Sequence, residues 1–434
     1  MLNKQDNELM CRTGAGTGMG DAMRRFWLPV IQSSDMPPPD GEPQTVELLG
    51  ERFVVWRDAQ GRPGVFAEGC LHRGASMQLA RSEGDGLRCI YHGWKFAVDG
   101  TVLETPNVED PRFKERIKGR AWPVQEAGGI VWVYLGPKGA EPPFPRWAFM
   151  DQPDAHRINA CAVINANFVQ VMEGLVDSSH LTVLHSSALA RTNDSELDYA
   201  KKTSHMQFDA APRIEADETD FGFHYVAIRE TEGKRIARVT AFIAPCFIAN
   251  ANGDVFLAIV PVNDERCNLY HVWWDAGKRI GEDPLRNEQL TFVGLDEPTL
   301  RRYGMTADTC NTAVAMSVAN GYLQDRAQMR TGHFSGLASI TQEDAACSVS
   351  SGPIRDRSQE MLSTADIAIS RLQRCLLTYA RAARDQQQIA PLLANAGGAI
   401  GVSAEIGPDE DWRTLVPHHC IVAPQVAARA GRSR

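Results

Sequence analysis

Apolar and polar positions change rhythm along this chain. Between about residue 44 and residue 135 the apolar runs are short and rich in β-branched and aromatic residues. Examples are Val46-Glu47-Leu48, Phe53-Val54-Val55-Trp56 and Ile130-Val131-Trp132-Val133-Tyr134-Leu135. Turn signals such as Asp58-Ala59-Gln60-Gly61 and Asp99-Gly100 separate such strands, the pattern of a small sandwich or barrel. Ahead of it, residues 6–27 predict a helix with a glycine break. The run Gly14-Ala15-Gly16-Thr17-Gly18-Met19-Gly20 is no dinucleotide fingerprint, because Met19 stands where the third glycine belongs and no apolar strand precedes it.

Prolines 137, 142, 143 and 145 crowd one stretch, which divides the chain into residues 1–145 and 146–434. Beyond it the segment from Phe168 to Leu184 has helical length. Tyr225–Ile228, Phe256–Val260 and Tyr270–Trp274 read as strands, and residues 364–388 as a long helix with Ile367, Leu372, Leu376 and Tyr379 near helical spacing. The expected fold class is α+β: an all-β domain, then a second domain with helices beside an antiparallel sheet.

Composition narrows the function. A length of 434 residues suits two domains, and a net charge of −9 argues against a nucleic-acid binder. The start, Met1-Leu2-Asn3-Lys4-Gln5-Asp6, lacks the apolar core of a signal peptide, and no run of about 18 apolar residues predicts a membrane span. A cytoplasmic protein is expected. In that reducing setting the ten cysteines point to metal chemistry wherever they group with histidine.

They group once. Cys70-Leu71-His72 is followed, after residues 73–88, by Cys89-Ile90-Tyr91-His92, each half in a turn between strands. Each half offers one thiolate and one imidazole. In a [2Fe–2S] cluster two thiolates can hold one iron and two neutral histidines the other, which raises the potential from roughly −400 mV to roughly −150 mV or above. Gly69, Gly74 and Gly93 permit close backbone approach, so that amides can donate to sulfur, and Tyr91 and Trp94 can shield the group. Zinc also accepts two cysteines and two histidines, but its usual pairs run Cys-x-x-Cys and His-x-His, not Cys-x-His and Cys-x-x-His.

Cys70-Leu71-His72-Arg73-Gly74 and Cys89-Ile90-Tyr91-His92-Gly93-Trp94 resemble the Rieske motif of ring-hydroxylating oxygenases. A second constellation lies downstream, in Glu173-Gly174-Leu175-Val176-Asp177-Ser178-Ser179-His180-Leu181-Thr182-Val183-Leu184-His185. Asp177 and His180 have the spacing of one helix face, whereas His180 and His185 do not, so the helix is expected to end or distort between them. Two histidines and a carboxylate leave open positions on a non-haem iron. Alone, two nearby histidines would be surface or core residues; beside a Rieske motif they resemble the iron motif of the same family.

That resemblance implies more. Asp177 is the acid that would link a cluster histidine of a neighbouring subunit to His180. The third iron ligand is an acid among Asp325, Glu343, Asp344, Asp356 and Asp366. Gln342-Glu343-Asp344 and Gly352-Pro353-Ile354-Arg355-Asp356-Arg357-Ser358 are similar to the phthalate-dioxygenase-like branch, which points to Asp344 with Glu343 as runner-up. Asp356 would then pair with arginine or cap a turn. Met23–Val30 and Leu323-Gln324-Asp325-Arg326 extend the likeness, while Leu175 and Cys347-Ser348-Val349-Ser350 depart from it.

The family implies a Rieske [2Fe–2S] domain followed by a helix-grip catalytic domain, mononuclear Fe(II), O2, and a separate NAD(P)H-dependent flavin/iron–sulfur reductase. It also implies a homotrimer or stacked hexamer and a small aromatic substrate, an aromatic carboxylate in this branch. Arg229 and Arg238, on strands of the sheet, are candidates for the substrate carboxylate. Dihydroxylation and monooxygenation or demethylation use the same iron site. A Rieske ferredoxin would need only the first domain and would leave the second constellation unexplained.

Overall fold

The computed structural model of the chain describes residues 2–194, 197–231, 233–387 and 399–417. Its frame is an antiparallel eight-stranded sheet. In spatial order the strands are Arg157–Ile164, Arg266–Trp274, Val255–Asn263, Phe247–Ala249, Lys234–Ile243, Gly222–Thr231 and Arg213–Glu218. Val402–Ile406 pairs with the first half of Lys234–Ile243, beside the short Phe247–Ala249. Period-two alternation gives the sheet two apolar faces. Tyr225 and Ala227 enter the main core, while Val226 and Ile228 enter a smaller one closed by Trp412 and Val416. Helices Phe168–Val176 and Ile367–Arg384 lie over the first face.

Three small sheets make the amino-terminal part. Trp27–Gln32, Ile130–Tyr134 and Val124–Ala127 form one; Gln44–Leu48, Glu51–Arg57 and Pro63–Ala67 the second; Arg81–Glu83, Gly86–Arg88, Lys95–Phe96 and Val102–Glu104 the third. Glu51–Arg57 stands between two cores. Phe53 and Val55 face the core shared with the large sheet, and Val54 and Trp56 face a separate core with Phe66, Leu87, Trp94 and Phe96. That second core carries the Cys/His loops.

Three elements differ from expectation. The predicted 6–27 helix is two helices, Lys4–Cys11 and Gly18–Met23, and residue 27 already opens a strand. Both helices pack on Ile367–Arg384, far along the chain. That long helix ends at Arg384, residues 385–387 are not helical, and residue 388 of the prediction lies outside the described residues. The predicted 168–184 helix stops at Val176, where Asp177 is extended (φ −88°, ψ 117°), and short helices Leu181–Leu184 and Ser186–Ala190 follow. The stretch 137–147 has no regular structure but is packed: Trp27 Nε1 donates to Pro142 O and Tyr134 Oη to Ala140 O.

Candidate metal centres and substrate cavity

The two cysteine–histidine loops repeat one backbone design. In each, the cysteine carbonyl accepts from the glycine amide four residues on, Gly74 N to Cys70 O (2.9 Å) and Gly93 N to Cys89 O (3.0 Å). In each, the cysteine amide donates to the carbonyl five residues on, Ala75 O (2.8 Å) and Trp94 O (2.9 Å). Both turns close through a glycine in the left-handed region, Gly74 at φ 74° and Gly93 at φ 76°, which side-chain-bearing residues rarely occupy. Arg88 braces the second loop by donating to Gly93 O and to Glu83 and Glu104.

This doubling brings the four side chains together. The His72 and His92 rings stand 4.5 Å apart, and Trp94 stacks on His72 at 4.5 Å and 4° while donating to Asn107 Oδ1. Cys70 and Cys89 are buried neighbours. Burial, with Cys89 adding, pushes the Cys70 thiol up to about 11, while the amides of His72 and Arg73 donate to its sulfur and oppose the rise. His72 Nδ1 is buried and finds no partner among the described residues. Two clustered thiols under backbone amides, beside an orphaned imidazole nitrogen, fit a [2Fe–2S] group held by two sulfurs and two nitrogens.

The second centre forms where the helix over the sheet breaks. Asp177 Oδ1 accepts from Ser179 N and Oγ, both at 2.7 Å, and Arg229 reaches across from Gly222–Thr231 to donate to Ser178 O (2.5 Å) and Ser178 Oγ (3.2 Å). Asp177 and His180 therefore meet across a break, with 3.3 Å between Oδ2 and Nδ1, not along one helix face as expected. One distortion precedes His180, and the helix after it ends again at His185 (φ −91°, ψ 13°), as the five-residue spacing predicted. His185 is the residue between the two short helices that come next.

Asp344, on helix Ile340–Ser350, completes a convergence. His180 Nε2 and His185 Nε2 are 3.2 Å apart, and Asp344 Oδ1 lies 3.4 Å from the first and 3.2 Å from the second. With ligand bonds of about 2.1 Å, cis positions on one ion stand about 3.0 Å apart at right angles and about 3.4 Å apart at tetrahedral angles. The three atoms thus fit corners of one coordination shell, with room left for another ligand. Burial alone would lower both imidazoles, but Asp177 and Asp344 hold His180 up at about 10, and Asp344 and Glu343 hold His185 at about 9. Burial would raise Asp344; the two histidines instead pull it well below the usual carboxylate range.

Glu343 does something else. Its Oε2 is 2.7 Å from His185 Nδ1, its Oε1 accepts from Ser335 Oγ, and both Glu343 and His185 are buried. It grips the back of an imidazole whose front nitrogen faces the convergence. The other acids are spent locally: Asp325 caps helix Arg326–Arg330, Asp356 accepts from Ser358, and Asp366 closes a capping box with Ser363. Sequence reasoning missed Ser335 altogether. Glu173, unassigned before, is buried and accepts two bonds from Arg357, which locks Phe168–Val176 to the 355–359 segment.

A cavity of about 300 Å³ opens beside the convergence, between the sheet and the short helices, and His180, His185 and Asp344 line it. Arg238 lines its sheet side with Tyr225, Thr240 and Asn252. It is 5 % exposed and donates to Asn252 Oδ1 (3.0 Å), and among the described residues no carboxylate pairs with it. Burial, with Arg229 adding, pulls it down to about 10, still a cation at neutral pH. Tyr199 lines the same cavity, in which the cation and the carboxylate of the convergence share one chamber. Arg229 is not among the lining residues; it stays with Ser178.

Comparison with known proteins agrees with both centres. Residues 26–118 match the Rieske [2Fe-2S] domain, and residues 133–428 match the LigXa C-terminal domain like family. The oxygenase subunit of phthalate 4,5-dioxygenase from Pseudomonas putida is 35 % identical over 87 % of this chain and 86 % of its own. The chain belongs to the Rieske oxygenase family. The 3-chlorobenzoate-3,4-dioxygenase oxygenase subunit of Comamonas testosteroni (32 % identity, 88 % and 89 % of the two chains) is a second relative of this Rieske oxygenase. The 5,5'-dehydrodivanillate O-demethylase oxygenase subunit of a Sphingobium strain (30 %, 90 % and 81 %) is a third. The solved structure of Pseudomonas putida NdmA shares the fold at a TM-score of 0.55 and 16 % identity, covering 91 % of this chain and 100 % of that one. The Rieske oxygenase is thus an oxidoreductase with a [2Fe–2S] cluster and a mononuclear iron, one component of a system with a separate reductase. Among the described residues no helix is long and apolar enough to cross a membrane.

Proposed function

We propose that this Rieske oxygenase inserts O2-derived oxygen into a small aromatic carboxylate, phthalate- or substituted-benzoate-like, by dihydroxylation. Monooxygenation or O- or N-demethylation of an aromatic compound is the second reading, favoured by the likeness to the dehydrodivanillate O-demethylase subunit. One observation carries the choice of substrate: Arg238, a buried cation without an acidic partner, shares a cavity with His180, His185 and Asp344. A buried charge is costly unless paired, and a planar guanidinium matches a carboxylate. Arg229 supports the site indirectly, by fixing Ser178 between Asp177 and His180.

In this reading residues 1–145 form the Rieske domain and 146–434 the catalytic domain. Cys70, Cys89, His72 and His92 hold the cluster, which supplies single electrons when reduced. His180, His185 and Asp344 hold the iron, and Asp177 sets the tilt of His180 through Nδ1. The Asp177 side chain keeps 18 % of its surface exposed, in keeping with a second partner from a neighbouring subunit of a homotrimer or stacked hexamer. The apolar residues Leu181, Leu184 and Leu189 line the cavity and exclude water from the aromatic ring. A flavin/iron–sulfur reductase using NAD(P)H feeds the cluster in the cytoplasm.

The test uses the loaded enzyme with a surrogate reductase and a panel of substituted benzoates. His180→Ala should keep the visible spectrum of the cluster and lose turnover. Product analysis of the wild-type enzyme separates diols from phenols and aldehydes. Turnover of neutral aromatics alone, with no benzoate accepted, would refute the carboxylate reading.

A further inference from the structure

Among the described residues that line the cavity, His271 Nε2 is the buried polar side-chain atom with no partner among the described residues. Its position is set by the sheet. His271 pairs with Leu257 on one side and Ala160 on the other, and it shares the cavity face with Leu257 and Leu269. Trp273, two residues on, lies flat against the ring at 3.7 Å and 16°, and Tyr199 stands edge-on to Trp273 at 6.1 Å. The imidazole is thus fixed in orientation on an apolar platform, with one nitrogen left for whatever occupies the cavity. Burial pushes its pKa down to about 3, so at neutral pH it is uncharged and offers one donor and one acceptor nitrogen.

The charge of the cavity is equally specific. Among the described residues Arg238 is the lining arginine without an acidic partner; Arg355, also in the lining, already pairs with Glu173 and Glu360. Glu173, Asp177 and Asp344 are the lining acids, and His180 and His185 are given to the iron. Among the described lining residues one arginine is therefore left for a substrate carboxylate, and a second carboxylate has none.

We infer that the substrate is an aromatic monocarboxylate bearing a neutral hydrogen-bonding substituent, a hydroxyl or ether oxygen, which His271 Nε2 recognises while Arg238 takes the carboxylate. This deepens the proposed function and rests on its carboxylate reading. His271 is a specificity-determining residue: a ring without the substituent leaves its nitrogen buried and unpaired, a penalty of about tenfold in affinity.

Anaerobic titration calorimetry on the loaded enzyme tests this with benzoate, 3- and 4-hydroxybenzoate, 3- and 4-methoxybenzoate and phthalate as probes. In the wild type at least one hydroxy- or methoxybenzoate should bind about tenfold more tightly than benzoate, and phthalate no better than benzoate. His271→Phe, which has no nitrogen to leave buried and unpaired, should abolish the preference, so that the substituted ligand and benzoate bind alike, and His271→Gln, which restores a donor and an acceptor, should recover part of it. Tighter binding of phthalate, or a preference that survives in His271→Phe, overturns the inference while the Arg238 reading stands. Benzoate affinity unchanged in Arg238→Gln overturns the carboxylate reading and the inference with it.

Discussion

Glu343 and Asp344 are adjacent acids, and replacing each in turn separates a ligand from the group that positions one. In Glu343→Gln the amide fills the same space, but the carboxylate behind His185 Nδ1 becomes neutral. The substitution removes a charge-assisted hydrogen bond of 2.7 Å between groups 1 % and 2 % exposed. Such bonds contribute about 1.5–3 kcal/mol. Removing the partner that orients a ligating histidine typically costs about 10–100-fold in metal affinity, or about 1.4–2.7 kcal/mol, and the two magnitudes agree. Asp344→Asn should cost far more, because Asp344 Oδ1 is the atom that meets both Nε2 nitrogens. The assay is anaerobic titration of Fe(II), or of Co(II) read by its visible bands, into protein whose Rieske spectrum serves as an internal standard. Expected are a 10–100-fold weaker but saturable site in Glu343→Gln and no site in Asp344→Asn, with the cluster spectrum unchanged in both. Wild-type affinity in Glu343→Gln refutes the positioning role. Complete loss there, with binding kept in Asp344→Asn, would make Glu343 the ligand.

Two further predictions concern the frame. Arg357 is fully buried and donates twice to Glu173 on the helix that precedes the iron residues, so Arg357→Met removes the closer cation from a buried carboxylate, leaving Arg355 at 3.5 Å and Gln373, and should cost about 3 kcal/mol. Adding Glu173→Gln should return most of it, read as thermal unfolding midpoints of the single and double variants. His224 is 1 % exposed, and burial lowers its pKa to about 4. The unfolded chain, with an ordinary pKa near 6.5, therefore binds more protons between about pH 4 and pH 6.5, and stability from this group falls as pH falls through that window. At pH 5 the loss is about 2 kcal/mol. His224→Phe should lessen the drop in unfolding midpoint between pH 7 and pH 5; an identical drop would show that the histidine does not titrate on unfolding.

Much of both centres was legible because ligand chemistry is local. A thiolate and an imidazole within one turn, closed by glycine, needs a few residues in a fixed order, and Cys70–Gly74 and Cys89–Gly93 carry it in plain sight. His180 and His185 were legible for the same reason. Their backbone was not. The helical length of 168–184 is interrupted at Asp177-Ser178-Ser179, weak helix formers whose side chains bond locally, and Arg229, distant in sequence, holds Ser178 O in the broken form. No local pattern encodes that bond, so a helix face was expected where a kink holds Asp177 against His180.

The same distinction separates Glu343 from Asp344. Neighbours on a helix point about 100° apart, so one acid faces the iron site and the other faces away from it. Which is which depends on where Ile340–Ser350 lands against the histidines, a property of packing and not of the tripeptide. Once that register is set, a single helix supplies both a ligand and the carboxylate behind another ligand. A rotation of this helix that carried Asp344 out of reach would loosen His185 as well. The two acids are therefore coupled: their effects on metal binding should fall short of additivity, the double variant losing little more than Asp344→Asn alone.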